Sequence, residues 1–348
     1  MRKTGFPILI IVALLLLIIM GGCSPRNQSV FMVGMNLTLE DIPYNQLARS
    51  ALEAFNKQYP DWKTEFNQTR SDTYYLESIQ KALLSGAGYV WSLEPRMAED
   101  IQSIARRNPT RNFIIVDWHP EDPKDYLKNV LYISYLENEG SFLMGLVAGN
   151  TTESGVVGFV GGLKDEAGAR YEAGFRAGLA YSNPEAKVLV EYIQSRSDNE
   201  KAAAAATAMF AAGADVIYHA AGEAGEGVAG VCRENDIWFI GCDRDQSALA
   251  PDHTLTGMIK RIELVTSLVN RDLADGFFPG GELLQMGIRE GGVSFLRSSF
   301  LSIEQIHLLD DVSYHIAAEE LWIADNPEES PLFEIRSDEQ EQEHDHDH

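Results

Sequence analysis

The chain has 348 residues, 45% of them hydrophobic, which is enough for two ordinary domains with substantial cores. Its formal net charge of −24 at pH 7 argues against nucleic acid or an anionic membrane face as a partner, because both would be repelled. Three cysteines exclude a disulfide scaffold.

The first 22 residues are predicted to be a lipoprotein signal peptide. Arg2 and Lys3 precede an apolar run at residues 8–20, which is too short for a typical spanning helix. Small residues before Cys23 resemble a bacterial lipobox, although Met20 stands where leucine is usual. We expect cleavage before Cys23, lipid attachment to it and a tether at residues 23–29; the alternative is an uncleaved membrane anchor. Both place the globular part outside the cytoplasm.

Strands and helices are predicted to alternate in the first part of the chain. Apolar runs predict strands at 30–37, 62–68, 88–91, 112–118 and 129–135. Helical periodicity predicts helices at 44–59, 74–84 and 97–107, after a polar turn at 38–43. This alternation is typical of a doubly wound, largely parallel sheet.

The same alternation then restarts. Helices are predicted at 140–148, 167–181, 199–212 and 228–235, and strands at 156–160, 187–193, 215–219 and 238–242. Segments 254–260, 262–276 and 282–295 are expected to tie two lobes together. The first lobe is predicted to contain residues 30–136 and 255–281, and the second residues 137–254 and 282–325.

Residues 326–348 are predicted to be a disordered acidic tail, because they carry too little apolar surface to form a core. The tail ends in His-Asp-His-Asp-His, which could bind a divalent metal, but a solvated tail is the favoured interpretation.

A small-residue turn at residues 219–227 follows the strand that contains Tyr218. The next strand is followed by Asp243. Ligands bind at the carboxyl ends of strands in open α/β sheets, so these two ends are expected to form one rim of a site. The turn has no P-loop lysine, which argues against a nucleoside triphosphate.

Several segments resemble, in order, the basic membrane protein lipoproteins, the family that contains the purine nucleoside receptors of ABC importers. These segments lie at residues 40–46, 129–130, 139–143, 158–162, 174–178, 213–217, 220–225 and 240–246. The resemblance implies a type I periplasmic-binding-protein fold, in which two Rossmann-like lobes are joined by three crossovers around a ligand cleft. Pro43, Tyr44, Cys242 and Trp91 depart from the residues usual in the family, near the expected pocket.

The ligand implied by the resemblance is a nucleoside, which has a flat base and a sugar diol. The resemblance implies Asp243 and Lys260 as the polar pair on the sugar side, with Gly222 and the Gly225 loop approaching closely. A helix N-cap is the alternative for Asp243 and a solvated charge the alternative for Lys260.

Amide and carboxylate groups are candidates for the base edge, and aromatic rings for stacking. Asn45 is implied as a base contact and Asp41 is similar; a helix cap and a turn residue are their alternatives. Asp117 and Glu137 are weaker base-edge candidates, and Glu137 could instead favour a helix dipole. The candidates for stacking are Tyr44, Tyr218 and Trp91, with core packing as the alternative for the last two. No cofactor or metal is expected. Cys232 and Cys242 are expected to be buried free thiols, although they could pair.

Three functions compete. The first is a lipid-anchored receptor that closes on a small-molecule ligand, a purine nucleoside, and delivers it to the permease and ATPase subunits of an ABC importer. The second is a sensor of the same fold that signals to a membrane partner. The third is a nucleoside hydrolase-type enzyme, which is disfavoured because the sequence has no calcium-ligand aspartate cluster and no nucleophile elbow.

Overall fold

The computed structural model describes residues 28–35, 41–329 and 331–336, with the backbone alone at 41–43. The predicted signal peptide, Cys23 with most of the predicted tether, part of the predicted turn at 38–43, and residues 337–348 lie outside these ranges. The helices are α1 (Asp41–Gln58), α2 (Asp72–Leu84), α3 (Ala98–Arg107), α4 (Glu137–Thr151), α5 (Glu166–Ser182), α6 (Asn199–Ala211), α7 (Gly225–Glu234), α8 (Ile262–Ala274) and α9 (Ile303–Ala317). The strands are β1 (Ser29–Met35), β2 (Lys63–Thr69), β3 (Tyr89–Ser92), β4 (Asn112–Val116), β5 (Val130–Tyr135), β6 (Val156–Gly161), β7 (Lys187–Tyr192), β8 (Val216–Ala220), β9 (Trp238–Gly241), β10 (Thr254–Lys260), β11 (Leu283–Met286), β12 (Val293–Phe295), β13 (Leu321–Ile323) and β14 (Phe333–Ile335).

Two six-stranded sheets with the same arrangement form the two lobes. The first has the order β11-β5-β4-β3-β1-β2 and the second the order β12-β10-β9-β8-β6-β7. Neighbouring strands are parallel throughout, except for the antiparallel pair of β12 and β10. The doubly wound α/β fold expected from the sequence is therefore confirmed, and β1–β5 occupy the same places in their sheet as β6–β10 in theirs.

The central strands are apolar on both faces because helices cover both sides of each sheet. In β1, Phe31 and Val33 face a layer that contains buried residues of α2 and α3, whereas Met32 faces the large core shared by the two lobes. Successive side chains of a strand point to opposite faces, so one unbroken apolar run contributes to both layers.

The chain crosses between the lobes three times, the first time at the boundary that the sequence predicted and the other two times at different points. It crosses from β5 to α4, from β10 to α8, and from β11 to β12. β10 was expected in the first lobe and lies in the second sheet, whereas β11 was expected in the second lobe and lies in the first sheet. Hydrophobicity identifies a buried strand but does not show which of two equivalent sheets it joins.

Helices α4 and α5 pack with their backbones in contact. A Cβ atom at Gly174 would lie 2.0 Å from the carbonyl oxygen of Asn138, and one at Gly178 would lie 1.9 Å from that of Phe142. A Cβ at Gly145 would lie 2.1 Å from the carbonyl oxygen of Phe175. Gly174 and Gly178 on α5 therefore allow this helix to pack directly against α4.

The region that was expected to be a disordered tail begins with ordered structure. β14 pairs antiparallel with β13, and the Phe333 ring packs against the rings of Phe142 and Tyr181. This short apolar segment packs onto core residues that are already in place. The average composition of the 23 residues of the predicted tail did not reveal it.

Within the described ranges, no helix is both long enough and apolar enough to span a membrane.

Candidate functional site

A cavity of about 290 Å³ lies between the two lobes. Apart from Tyr44 and Asn45 on α1, its lining residues end or follow parallel strands, where the carboxyl edges of the two sheets face each other. The first lobe contributes Met35, Tyr44, Asn45, Leu93, Glu94, Pro95, Arg96 and Asp117. The second contributes Arg196, Ser197, Gly222, Glu223, Asp243, Arg244 and Lys260. The volume is near the lower end of the range for small-molecule sites.

Two aspartates come from equivalent places in the two lobes. Asp117 follows β4 with φ of 63°, and Asp243 comes shortly after β9 with φ of 66°. Aspartate is one of the few side chains that tolerates this left-handed conformation, which is costly for most others. The two turns thus bring carboxylates from both lobes toward one point in the cleft.

That point is the ammonium group of Lys260, the last residue of β10. Its Nζ donates to both carboxylate oxygens of Asp117 at 2.9 Å. Glu137 Oε1 lies 2.9 Å away and Asp243 Oδ1 lies 3.7 Å away. Lys260 is only 4% exposed, so the desolvation of its charge is compensated by these three carboxylates rather than by bulk water.

Charge coupling controls the protonation of this cluster. Burial alone would lower the pKa of Lys260, but Asp117, Glu137 and Asp243 raise it well above its ordinary value. Burial would raise the pKa of Asp243, yet Lys260 and the Tyr171 phenol hold it below its ordinary value. Burial, with the neighbouring Glu137 and Asp243, raises the pKa of Asp117 despite its contact with Lys260. Lys260 and Asp243 therefore remain a charged pair across the physiological pH range.

Glu137 is fully buried behind the cavity as the first residue of α4. Its second oxygen, Oε2, accepts a hydrogen bond of 2.7 Å from Arg170 Nε. Burial acts to raise the pKa of Glu137, but Lys260 and Arg170 hold it below its ordinary value. Two cations thus share one buried carboxylate, which stays ionised.

The first lobe supplies an aromatic ring and an amide. Tyr44 and Asn45 are neighbours on α1, and both line the cavity. The Asn45 amide nitrogen donates to the carbonyl oxygen of Met35 at 2.7 Å, which ties α1 to the end of β1. This bond holds the Asn45 amide in the first-lobe wall of the cavity.

The small-residue turn after β8 forms part of the opposite wall. Gly222 has φ of 59°, and a Cβ there would lie 3.0 Å from the carbonyl oxygen of Arg196. Only glycine suits this position without strain, so the turn can pass close to Arg196 and bring Gly222 and Glu223 to the cavity.

A buried histidine supports the same turn. His219 Nδ1 accepts from the Ala221 N–H at 3.3 Å, so Nε2 is the donor to Gln246 Oε1 at 2.8 Å. The same Gln246 oxygen accepts from the Cys242 N–H at 2.8 Å. Burial lowers the pKa of His219 to about 4, so the ring is neutral and links the ends of β8 and β9.

A family model described as Bmp, ABC transporter substrate-binding protein PnrA-like, matches residues 28–326. The chain belongs to this family. It is 34% identical over 291 residues to the CD4+ T-cell-stimulating antigen of Listeria innocua, covering 78% of this chain and 80% of the relative. It is 30% identical over 302 residues to basic membrane protein A of Borreliella burgdorferi, covering 85% and 88%.

Solved structures of ABC-transporter solute-binding proteins have the same fold as this Bmp-family chain. The protein from Conexibacter woesei gives a TM-score of 0.69 at 20% identity, covering 85% of this chain and 98% of that one. The protein from Aeropyrum pernix gives 0.68 at 18% identity, covering 87% and 94%. At these identities the likeness establishes the fold alone. The family consists of extracytoplasmic substrate-binding proteins rather than enzymes.

Six of the residues predicted for the site of this Bmp-family chain line the cavity: Tyr44, Asn45, Asp117, Gly222, Asp243 and Lys260. Glu137 contacts Lys260 from behind the wall. Asp41 begins α1, and its side chain lies outside the described part of the chain. The arrangement offers one ring, one amide and a charged pair, which suits binding a flat polar molecule through several weak contacts.

Trp91 and Tyr218, which the sequence offered as stacking rings, lie elsewhere. Both are fully buried in β3 and β8. Tyr218 packs against Phe159 and Phe175, and its hydroxyl lies 2.9 Å from that of Ser141. These rings fill the core below the cavity because mid-strand side chains point to the faces of a sheet and not to its edge.

Gly225 also has a packing role rather than a place in the cavity wall. A Cβ at this position would lie 2.0 Å from His219 Cε1. Glycine here therefore lets α7 approach the buried imidazole, and the close approach to the ligand falls to Gly222 alone.

The structure also decides among the alternatives left by the sequence. Asn45 lies inside α1 and is not its cap, and α1 begins four residues earlier. No helix begins directly after Asp243, which removes the N-cap interpretation, and Lys260 is buried rather than solvated. Cys232 and Cys242 are buried free thiols. Within the described ranges, no group of three or more His, Cys, Asp or Glu side chains is placed to hold a metal ion.

Several cavity residues were missed by sequence reasoning. Arg96, Arg196 and Arg244 line the wall with Glu94 and Glu223. They lie in the loops and short 3-10 turns that follow strands, and this position was the signal that could have found them. Charged loop residues are common on any protein surface, so this signal does not distinguish residues in a cavity wall from residues exposed to solvent.

Proposed function

We propose that this protein binds a purine nucleoside between its lobes and delivers it to an ABC permease. The observation that carries this proposal is the composition of the cavity wall. Tyr44 offers a ring and Asn45 an amide on one side, and Asp243 with Lys260 offers a charged pair on the other. A base and a sugar diol require these groups at opposite ends of one molecule.

Closure of the lobes is the expected mechanism. Lys260 ends a strand of the second sheet and binds Asp117 at the end of a first-sheet strand, so their ion pair joins the lobes. A ligand that contacts both walls would favour this closed arrangement over an open one. The permease would then recognise the closed form.

Calorimetry with adenosine, guanosine, inosine and a pyrimidine nucleoside tests the ligand class. We expect saturable binding of at least one purine nucleoside and weaker binding of the pyrimidine. The absence of binding to all four would refute the nucleoside proposal while leaving the family assignment intact. Chromatography after long incubation should show intact nucleoside, and release of free base with ribose would indicate an enzyme.

Lipid attachment to Cys23 is part of the same proposal, because a receptor must stay near its permease. The basic start, apolar run and small residues before Cys23 support it. Replacing Cys23→Ala should block processing or release the protein from the membrane fraction. A variant that is still cleaved and membrane-bound like the parent would contradict the assignment.

A further inference from the structure

The start of α5 lies directly behind the polar end of the cavity. Arg170 and Tyr171 are consecutive residues in its second turn, and neither is part of the cavity wall. Tyr171 is only 6% exposed. Two adjacent, largely buried polar side chains on one helix need an explanation beyond packing, since burial of polar groups is costly without specific partners.

Tyr171 contacts both members of the charged pair. Its hydroxyl donates to Asp243 Oδ1 at 2.5 Å, and the centre of its ring lies 5.6 Å from Lys260 Nζ. A phenol bound to one carboxylate oxygen restricts rotation of the carboxylate. The ring face meanwhile attracts the ammonium group. The same side chain thus sets the orientation of Asp243 and accommodates Lys260.

Arg170 reaches Lys260 through one intermediate. Its Nε donates to Glu137 Oε2 at 2.7 Å, and Glu137 Oε1 lies 2.9 Å from Lys260 Nζ. Glu166 accepts a bond from another guanidinium nitrogen at 2.6 Å. Because Glu137 is fully buried, its carboxylate cannot turn to water, and Arg170 fixes which oxygen faces the lysine.

The backbone that carries these two residues is itself immobilised. Gly174 and Gly178 continue α5 and bring its backbone against α4, which begins with Glu137. Arg170, Tyr171 and Glu137 therefore belong to one rigid pair of helices. Groups held on packed helices keep their geometry better than groups on loops.

We propose that Arg170 and Tyr171 are positioning residues for the ligand: Tyr171 orients Asp243, and Arg170 orients Lys260 through Glu137. The inference rests on the proposed function, since it assigns Asp243 and Lys260 to the sugar hydroxyls of a nucleoside. It adds that recognition of the sugar depends on residues that never touch it.

The decisive variant is Tyr171→Phe, which keeps the ring over Lys260 and removes only the hydroxyl. Tyr192→Phe is a matched control, because the Tyr192 hydroxyl donates to a different carboxylate, that of Glu172 on α5, at 2.8 Å and does not contact Asp243. Calorimetry should show nucleoside affinity about tenfold weaker in Tyr171→Phe, as expected for a lost bond to a charged acceptor. Free base affinity should change little, and the control should resemble the parent. Equal nucleoside affinity in Tyr171→Phe and parent would overturn the proposal.

A second measurement does not depend on the ligand. Carbon-13 NMR of aspartate-labelled protein, with Asp243→Asn to assign the signal, follows the titration of the Asp243 carboxyl group. Loss of the donated hydrogen bond should raise its pKa in Tyr171→Phe but not in Tyr192→Phe. An unchanged titration would overturn the proposal even if no nucleoside binds. Failure of the parent to bind nucleosides, with a shifted titration, would instead refute only the nucleoside function.

The Arg170 branch has its own pair of variants. Arg170→Gln removes the charge beside Glu137, and Arg176→Gln is the control, since Arg176 Nε makes an equally short 2.7 Å bond to Glu172 on the same helix. We expect Arg170→Gln to reduce the preference for nucleoside over free base by about tenfold, and Arg170→Lys to restore part of it. If Arg170→Gln does not fold, Arg170→Lys measured alone should still show a reduced preference. A preference equal to the parent in both variants would contradict this branch.

Discussion

The two lobes place aspartates at equivalent strand ends, yet the pKa values of these two carboxyl groups shift in opposite directions. Asp117 and Asp243 both have positive φ and both face Lys260. Burial and two neighbouring carboxylates raise the pKa of Asp117, whereas Lys260 and the Tyr171 phenol overcome burial and lower that of Asp243. The same backbone position therefore has a lowered carboxyl pKa only where the Tyr171 phenol adds a second donor to Lys260.

The polar groups behind the strands differ in the same way. In the first lobe, the Tyr75 hydroxyl lies 2.9 Å from the Ser92 hydroxyl, and neither group titrates near neutral pH. In the second lobe, His219 on β8 donates to Gln246 Oε1 at 2.8 Å. The support behind this first-lobe strand is thus neutral, whereas the support behind the second-lobe strand contains a histidine that can titrate.

The largest effect should come from removing the shared cation. Lys260→Met removes the cation that three carboxylates share, so we expect a loss of about 3–5 kcal/mol in the free energy of unfolding. Lys201→Met, at an exposed pair with Asp198, should cost less than about 1 kcal/mol. Urea denaturation measures both, and adding Asp117→Asn to Lys260→Met should recover part of the loss. Similar stabilities of Lys260→Met and parent would show that the cluster is not held by this lysine.

Acid should weaken the second lobe through His219. Its pKa falls from 6.5 to about 4 on folding, so the unfolded chain binds the proton more readily between these values. Stability from this group is present above about pH 6.5 and is lost as pH falls toward 4, by up to about 3 kcal/mol. His219→Gln should have a flatter stability profile than the parent in this window. Parallel profiles from pH 6.5 to 4 would contradict the neutral, buried assignment.

The first lobe is tested by removing its ring. Tyr44→Ala should weaken binding of nucleoside and free base by the same amount, about 1–3 kcal/mol, because a stacking ring contacts the base and not the sugar. Calorimetry with both ligands makes the comparison. If Tyr44→Ala weakened only nucleoside binding, Tyr44 would contact the sugar. The assignment of the base to the first lobe and the sugar to the second would then be incorrect.

The smallest effect is expected for the core tyrosine. Tyr218→Phe removes a hydroxyl that meets Ser141 below the cavity, which should cost about 1 kcal/mol of stability. Nucleoside affinity should remain unchanged, since the ring does not line the cleft. A tenfold loss of affinity at unchanged stability would restore Tyr218 as a ligand contact.

The sequence predicted the alternation of strands and helices because apolar runs and helical periodicity are local signals. The segment 254–260 was located correctly, yet it was assigned to the wrong lobe, since a strand carries no mark of the sheet it joins. The resemblance named the family correctly and also suggested Asp243 and Lys260 as partners.

What the sequence could not provide was the direction of side chains and the contacts between distant segments. Tyr218 and Trp91 have the composition of stacking rings, and only their mid-strand positions remove them from the cleft. Tyr171 lies 72 residues before Asp243, and no local pattern joins them. Contacts of this kind depend on the packing of α5 against α4. The glycines allow the two helices to approach closely, but they do not determine which residues of the two helices meet.

The most direct test of the central claim compares a purine nucleoside with its free base on the parent and on Asp243→Asn. Asparagine tolerates the left-handed backbone at this position, so the fold is preserved. We predict that nucleoside affinity falls at least about tenfold in the variant, roughly 1.4 kcal/mol, while free base affinity changes little. An equal loss for both ligands, or no loss for the nucleoside, would contradict the assignment of Asp243 to the sugar.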